Sequence, residues 1–371
     1  MKWNWQQNDW PNFRYDYQQI ESFEQQFLKD TGMLLGGVKH LDEESKNLLT
    51  IDIISNEALK TSEIEGEYLN RESVKSSIRQ QFGLQTNYLK STPAEQGIAE
   101  MMVDAYRSFS EPLSHEKLFY WHEIVIKGRH DLTDLGRYRT HAEPMQIVSG
   151  SIHDPKVHFE APPSSMVKIE MDRFVDWFNE TSPSGKVHLP ALTRAGIAHL
   201  YFVAIHPFED GNGRIGRAIA EKAINQIMGQ PVLLALSYII EKHKKAYYET
   251  LERVNYSNEI TDWLIYFSKT MMEARKYTQT YVEFLIEKTK LYDRVRGKLN
   301  ERQEKVLARM FREGPEGFTG GLSAEKYINI TKTSRATATR DLQELVELRV
   351  FIRSGEKRHT RYYFSFPSQE R

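Results

Sequence analysis

The chain has 371 residues, 40% of them hydrophobic and 27% charged, the make-up of a globular protein with a sizeable core and about two or three domains. Its formal net charge is −1, so contact with nucleic acid has to come from a local patch, and nothing draws the whole chain to an anionic membrane. The absence of cysteine excludes disulfides, thiolate catalysis and cysteine-ligated zinc, and fits a cytoplasmic protein.

Residues 1 to about 90 open on the aromatic-rich "MKWNWQQNDW", which lacks the apolar core of a signal peptide, and then turn helical. Within them "TSEIEGEYL" (61–69) contains Ser62 and Glu65 in Ser-x-x-Glu spacing, which alone reads as a capping box at a helix start. Gly66 weakens that reading. A glycine inside a first turn costs about 1 kcal/mol and points to a close approach by another group.

From about 91 to about 290, apolar residues at three- and four-residue intervals predict helices over 164–180, 192–205 and 260–299. "PMQIVSGSIHDPKVHFEAPP" (144–163) reads as a β-hairpin, with β-branched segments flanking a Gly/Ser/Asp/Pro turn. "HEIVIKGRH" has no histidine at 126, so there is no His-Glu-x-x-His zinc pair. The longest apolar run, "VLLALSYII" at 232–240, is far too short to span a bilayer.

After "RVRGKLNERQ" the pattern changes again. Residues 323–364 read as helix, turn, helix and a two-stranded wing, with Ser, Thr and Arg opening the second helix and a leucine stripe following. Arg353, Lys357, Arg358 and Arg361 on the wing are candidates for phosphate contact. Residues 301–371 carry 14 Lys and Arg against 10 Asp and Glu, a local excess of +4. No Gly/Ser- or Pro-rich linker separates the three regions, which predicts docked rather than tethered domains.

The most informative segment is "HPFEDGNGRIGR" (206–217). Pro207 stops the preceding helix, "EDGNG" supplies a sharp turn, and a new helix is expected to start near Arg214. Arg214 and Arg217 share one face of that helix, although cations in a first turn are disfavoured by roughly 0.3–1 kcal/mol each. Two arginines beside a nest of backbone N–H groups make sense with a polyphosphate. Asp210 is a hard oxygen ligand suited to Mg²⁺ beside phosphates, and His206 is placed to accept a proton from a hydroxyl.

At every defined position this segment resembles the signature of the Fic family (filamentation induced by cyclic AMP). The resemblance covers roughly residues 91–275. It implies a mainly α fold: a Fic-type helical core with a β-hairpin flap, an N-terminal helical region and a C-terminal winged helix-turn-helix domain. The expected divisions are 1–90, 91–290 and 300–371. By the same resemblance His206 is the base, Phe208 anchors the loop and Asp210 holds Mg²⁺. Gly211, Asn212 and Gly213 cradle the α- and β-phosphates, Arg214 contacts the β-phosphate and Arg217 the γ-phosphate. "KKAYYETLERVN" (244–255) resembles the segment that places Tyr248 and Asn255 at the adenine, and the hairpin resembles the flap that registers a target segment by strand addition.

The reaction implied is transfer of AMP from ATP to a Ser, Thr or Tyr hydroxyl of a target protein or of the chain itself. Thr61, Glu65 and Gly66 also resemble the family's inhibitory motif, Ser/Thr-x-x-x-Glu-Gly/Asn, which implies that Glu65 forms a bidentate pair with Arg217 and blocks the γ-phosphate. The expected partners are therefore ATP and a hydroxyl-bearing protein, with a DNA or protein contact through the winged helix, homo-oligomerisation, and no membrane. Two alternatives stay open: a hydrolase that removes AMP from a target, and a transcriptional regulator whose Fic domain senses nucleotide.

Overall fold

The computed structural model describes residues 2–39, 41–84, 90–151, 154–315 and 317–366, which fall into two compact units, Met1–Thr278 and Gln279–Arg371. Among the described residues there are fourteen α-helices and two small antiparallel sheets. None of the described helices is long and apolar enough to cross a membrane.

In the first unit α1 (Glu21–Lys39), α2 (Glu43–Ile64) and α3 (Arg71–Gln81) precede α4 (Pro93–Arg107) and α5 (His115–Val125). The hairpin follows as β1 (Gln146–Ser151) and β2 (Asp154–Glu160), then α6 (Ser164–Glu180), α7 (Ala191–Ile205), α8 (Asn212–Met228), α9 (Leu236–Lys242) and α10 (Lys244–Val254). A long helix, α11, runs Thr261–Arg294, its residues from Gln279 on belonging to the second unit, and ends five residues before the predicted 299. Capping fixes several starts. Asp42 accepts the Ser45 N–H at 2.8 Å to begin α2, and Thr92 and Glu95 form a capping box around Pro93 to begin α4.

The core of this unit is organised around α7, whose residues are buried almost throughout. Its N-cap, Pro190, offers no capping side chain. The buried carboxylate of Glu24 on α1 does so instead, accepting the N–H groups of Leu192 at 3.0 Å and Thr193 at 2.7 Å. Thus the N-terminal region holds the start of the helix whose other end carries His206. The aromatic start is bound to the same unit: Trp5 Nε1 donates to the Glu160 carbonyl at 2.7 Å, and Trp10 Nε1 to Glu170 at 2.8 Å.

In the hairpin, Gln146 pairs with Glu160 and Ile147 with Phe159, and a bulge then shifts the register so that Val148 faces Val157. The second unit contains α12 (Glu301–Arg312), α13 (Ala324–Thr331), α14 (Arg335–Glu347) and a sheet of β3 (Phe351–Ser354) and β4 (Arg361–Phe364). Its core gathers Leu307, Phe311, Tyr327, Leu342 and Phe364. The side chain of Arg358 lies outside the described residues.

Candidate functional site

Helix α7 ends at His206, which takes left-handed angles (φ 50°, ψ 59°), unusual for a residue with a Cβ. Two features hold it there. The guanidinium of Arg139, itself 2% exposed, donates through Nε to the His206 carbonyl at 2.8 Å, and the Arg139 N–H donates to the Pro207 carbonyl at 3.0 Å. The same side chain reaches Ser164 and the Pro162 carbonyl, tying the corner to the chain after β2. The imidazole Nδ1–H donates to the Val203 carbonyl at 3.2 Å, so Nε2 is left as the basic nitrogen. Burial pushes the ring down to about 4, which keeps it neutral and able to accept a proton.

The loop from 207 to 212 is braced from within. Asn212 Oδ1 accepts the Phe208 N–H at 3.0 Å while its Nδ2 donates to the Phe208 carbonyl at 2.8 Å. The Asn212 side chain therefore shapes the loop, and its backbone amide opens α8 two residues earlier than the expected start at Arg214. Phe208 is fully buried and stacks on His122 at 4.1 Å. Glu209 fastens the other flank by accepting the N–H groups of Thr133 and Asp134.

Asp210 faces two cations. Its Oδ1 accepts from Arg214 at 3.2 Å and from the Gly211 N–H, and its Oδ2 pairs with Arg129. Burial works against ionisation, but Arg214, the Gly211 amide and Arg129 together hold the carboxyl below its usual range. Arg214 Nε and Arg217 Nη1 are buried without a protein partner, an arrangement suited to an anion such as a polyphosphate. Asp210, Arg214, Arg129 and Lys127 line an open cavity of about 470 Å³ together with Glu65 and Glu67.

The inhibitory motif lies at the end of a helix, not at its start. The capping-box reading of Ser62 and Glu65 is thereby overturned: Ser62 is buried in the last turn of α2, and Glu65 is the C-cap, its N–H bonded to the Ser62 carbonyl at 3.0 Å. Gly66 adopts φ 85°, which terminates the helix, and open space surrounds its missing Cβ. Its glycine is thus required by backbone angle and not by a close neighbour. The close approach occurs at Gly213, where a Cβ would sit 2.1 Å from Glu65 Oε1.

Glu65 Oε1 accepts from Arg217 Nη2 at 2.8 Å. The pair is single-oxygen and not the expected bidentate fork, because Thr61 engages Nε and Nη2: Nε donates to its hydroxyl at 2.7 Å and Nη2 to its carbonyl at 2.9 Å. Burial disfavours the Arg217 charge, but the Glu65 carboxylate more than offsets this and raises it. Two residues on, Glu67 pairs with Arg214 at 2.8 Å. Both arginines of the motif therefore already face a carboxylate from the end of α2.

Tyr248 is 37% exposed and lies within electrostatic reach of Glu65 and Arg217; burial is the main cause raising its hydroxyl to about 12. Tyr247 beside it is buried and bonds His199 at 2.7 Å. Asn255 caps α10, its carbonyl accepting the Asn4 N–H at 2.6 Å, while its amide is 3.5 Å from the His158 carbonyl of β2. Sequence reasoning missed Arg139, Glu67 and Arg129, whose partners are 67, 147 and 81 residues away. No local pattern marks them.

This loop, with a base-competent histidine, a carboxylate and two arginines at a helix start, is matched by the model of the Fic/DOC family over residues 112–224. Residues 112–224 are a Fic/DOC domain. Residues 3–84 match a family described only as a domain of unknown function, DUF4172. Curated relatives include protein adenylyltransferase fic-1 of Caenorhabditis elegans, 28% identical over 145 residues, which are 39% of this chain and 25% of that protein. Protein adenylyltransferase Fic of Nematostella vectensis is 28% identical over 149 residues (40% and 30%), and that of Drosophila willistoni 30% over 135 residues (36% and 25%). The chain thus spans between a quarter and a third of the length of these three relatives. Among solved structures, a Fic family protein from Desulfovibrio desulfuricans superposes with a TM-score of 0.52 at 20% identity, covering 92% of this chain and 95% of that one. A Fic domain containing signaling protein from Bacteroides thetaiotaomicron gives 0.53 at 16% identity, covering 70% and 97%. These likenesses show the Fic fold.

Proposed function

We propose that this chain is a protein adenylyltransferase, transferring AMP from ATP to a protein hydroxyl, and that the end of α2 holds it inactive. The observation that carries the proposal is the Arg217 guanidinium, gripped by Thr61 and Glu65 inside a Fic/DOC loop while one of its nitrogens stays unpartnered. An enzyme that handles polyphosphate needs that cation, and here a carboxylate of the same chain competes for it.

In the reaction the hydroxyl oxygen attacks the α-phosphorus, the bond to pyrophosphate breaks, and the hydroxyl proton passes to His206 Nε2. The Val203 carbonyl fixes the required tautomer, and Arg139 fixes the corner that aims the ring. Backbone N–H groups from Gly211 to Gly213 and the guanidinium of Arg214 bind the phosphates, and Arg217 binds the terminal one once Glu65 leaves. Asp210 would hold Mg²⁺ in exchange for its pairs with Arg214 and Arg129, and the metal would supply further neutralisation of the phosphates. Tyr248 and Asn255 are proposed to flank the adenine, and the edge of β1 to register the target.

The second unit is proposed to recruit a partner. Arg335 and Arg340 on α14 and Arg353 and Lys357 after it are exposed cations of the kind that contact a phosphate backbone. A steep loss of duplex affinity with added salt supports that contact, whereas no binding at low salt assigns the unit to a protein partner.

ATP labelled at the α- or the γ-phosphate tests the reaction type in a Glu65→Gly variant. Label on protein from the α-position alone is expected. Label from the γ-position alone would make the chain a kinase and overturn the proposal.

A further inference from the structure

Helices α2 and α8 meet a second time, away from the Glu65–Arg217 contact. Glu57 precedes Glu65 on α2 by about two turns, and Glu221 follows Arg217 on α8 by about one. Glu57 and Glu221 both line one small cavity of about 20 Å³, where their side chains act on each other. Glu57 is 2% exposed. Its carboxylate also accepts the N–H groups of Ser237 at 2.7 Å and Tyr238 at 3.3 Å, capping α9, whose N-cap Ala235 provides no capping side chain. Glu57 is thus the acceptor on three sides, and the hydrogen bond with Glu221 requires a proton on Glu221.

The surrounding groups do not replace that proton. Lys222 of α8 lines the same cavity, but its Nζ donates to the carbonyls of Ser108 at 2.5 Å and Phe109 at 3.1 Å. Arg217 acts on Glu221 along α8 but is engaged by Thr61 and Glu65. From α4 the lining includes Tyr106, and from α9 Glu57 meets the two amides and the Ser237 hydroxyl. Among the described residues α3 adds no ionisable group to the cavity, and the nearest charged residues along α2 are paired, Asp52 with Lys75 and Lys60 with Glu63 and Glu241.

We propose that the proton shared by Glu57 and Glu221 is a latch that seats α2 on α8, so that alkaline pH loosens the helix end carrying Glu65. Two neighbouring carboxylates, Glu57 buried and Glu221 half-buried, cannot both be ionised without repulsion. Burial raises Glu57 to about 7, and burial together with the Glu57 charge raises Glu221 well above the usual carboxylate range. Both groups lie above their unfolded-chain values, so the stabilisation is complete in acid and declines as pH rises through them, the latch itself opening as Glu221 loses its proton. Once ionised, Glu221 repels Glu57 and, one turn from Arg217, offers that guanidinium a partner on its own helix. The consequence for AMP transfer rests on the role proposed for Glu65; the latch itself does not.

Hydrogen–deuterium exchange across residues 54–67 of the full chain, corrected for intrinsic exchange rates, reads the latch directly. From about pH 6 to about pH 9 the wild-type segment should lose about tenfold in protection, while Glu221→Gln, whose amide still donates but cannot ionise, should change by less than about twofold. Should Glu221→Gln not fold, judged by circular dichroism, Glu57→Gln removes one of the two like charges and is read in the same way. A wild type insensitive to pH, or variants that follow the wild-type pH response, would overturn the latch. Failure of Glu65→Gly to transfer AMP would sink the adenylyltransferase reading and leave the exchange result standing.

Discussion

The loop at 206–212 and the end of α2 reach the same arginines by different means. In the loop, Asn212 closes both backbone groups of Phe208, Arg139 grips the His206 carbonyl, and Phe208 stacks in the core on His122, all of these side chains being buried. The end of α2 instead presents two part-exposed carboxylates, Glu65 and Glu67, to Arg217 and Arg214. Buried, mutually satisfied hydrogen bonds make the first region a rigid scaffold; ion pairs at a cavity mouth make the second displaceable by a competing anion. Substitutions in the two regions should therefore have opposite signs.

The largest effect belongs to the loop. In a Glu65→Gly background, His206→Ala should reduce AMP transfer by about 10²–10⁴-fold while ATP affinity stays close to that of the parent, since the imidazole acts on the hydroxyl. Retained transfer would remove His206 from the role of base. Asn212→Ala should lower the stability of the first unit by about 1–3 kcal/mol, because Phe208 N–H and C=O lose their buried partner. Chemical denaturation measures this, and an unchanged midpoint would mean the brace is dispensable. At the end of α2 the sign reverses. Glu67→Ala should raise ATP affinity by about two- to fivefold, the range of a part-exposed ion pair, and calorimetry decides it. An affinity that falls would assign Glu67 to binding instead.

Much of the scaffold was legible in the sequence because its information is local. The helices at 164–180 and 192–205 follow from apolar spacing and are found as α6 and α7, and the hairpin follows from its turn. His206, Asp210, Arg214 and Arg217 stand within one twelve-residue segment, so their convergence required only a turn and a helix. The end of α2 was harder. Ser62-x-x-Glu65 carries the same residues at either end of a helix, and the choice is made by an N-cap at Asp42 far upstream and by the positive φ of Gly66. The arginine fork was misjudged for a related reason, since Thr61 is drawn onto Arg217 only by the packing of α2 on α8. Arg139, Glu67 and the Glu57–Glu221 pair are products of tertiary structure, and each looks locally like an ordinary charged residue.

The most direct measurement compares initial rates of AMP transfer from α-labelled ATP, including self-modification, for wild type and Glu65→Gly across a range of ATP concentrations. If a preformed site is held off by the carboxylate on Arg217, the variant should be faster by at least about tenfold, which corresponds to a shift of only about 1.4 kcal/mol towards the competent state. Equal rates at every ATP concentration would contradict the account.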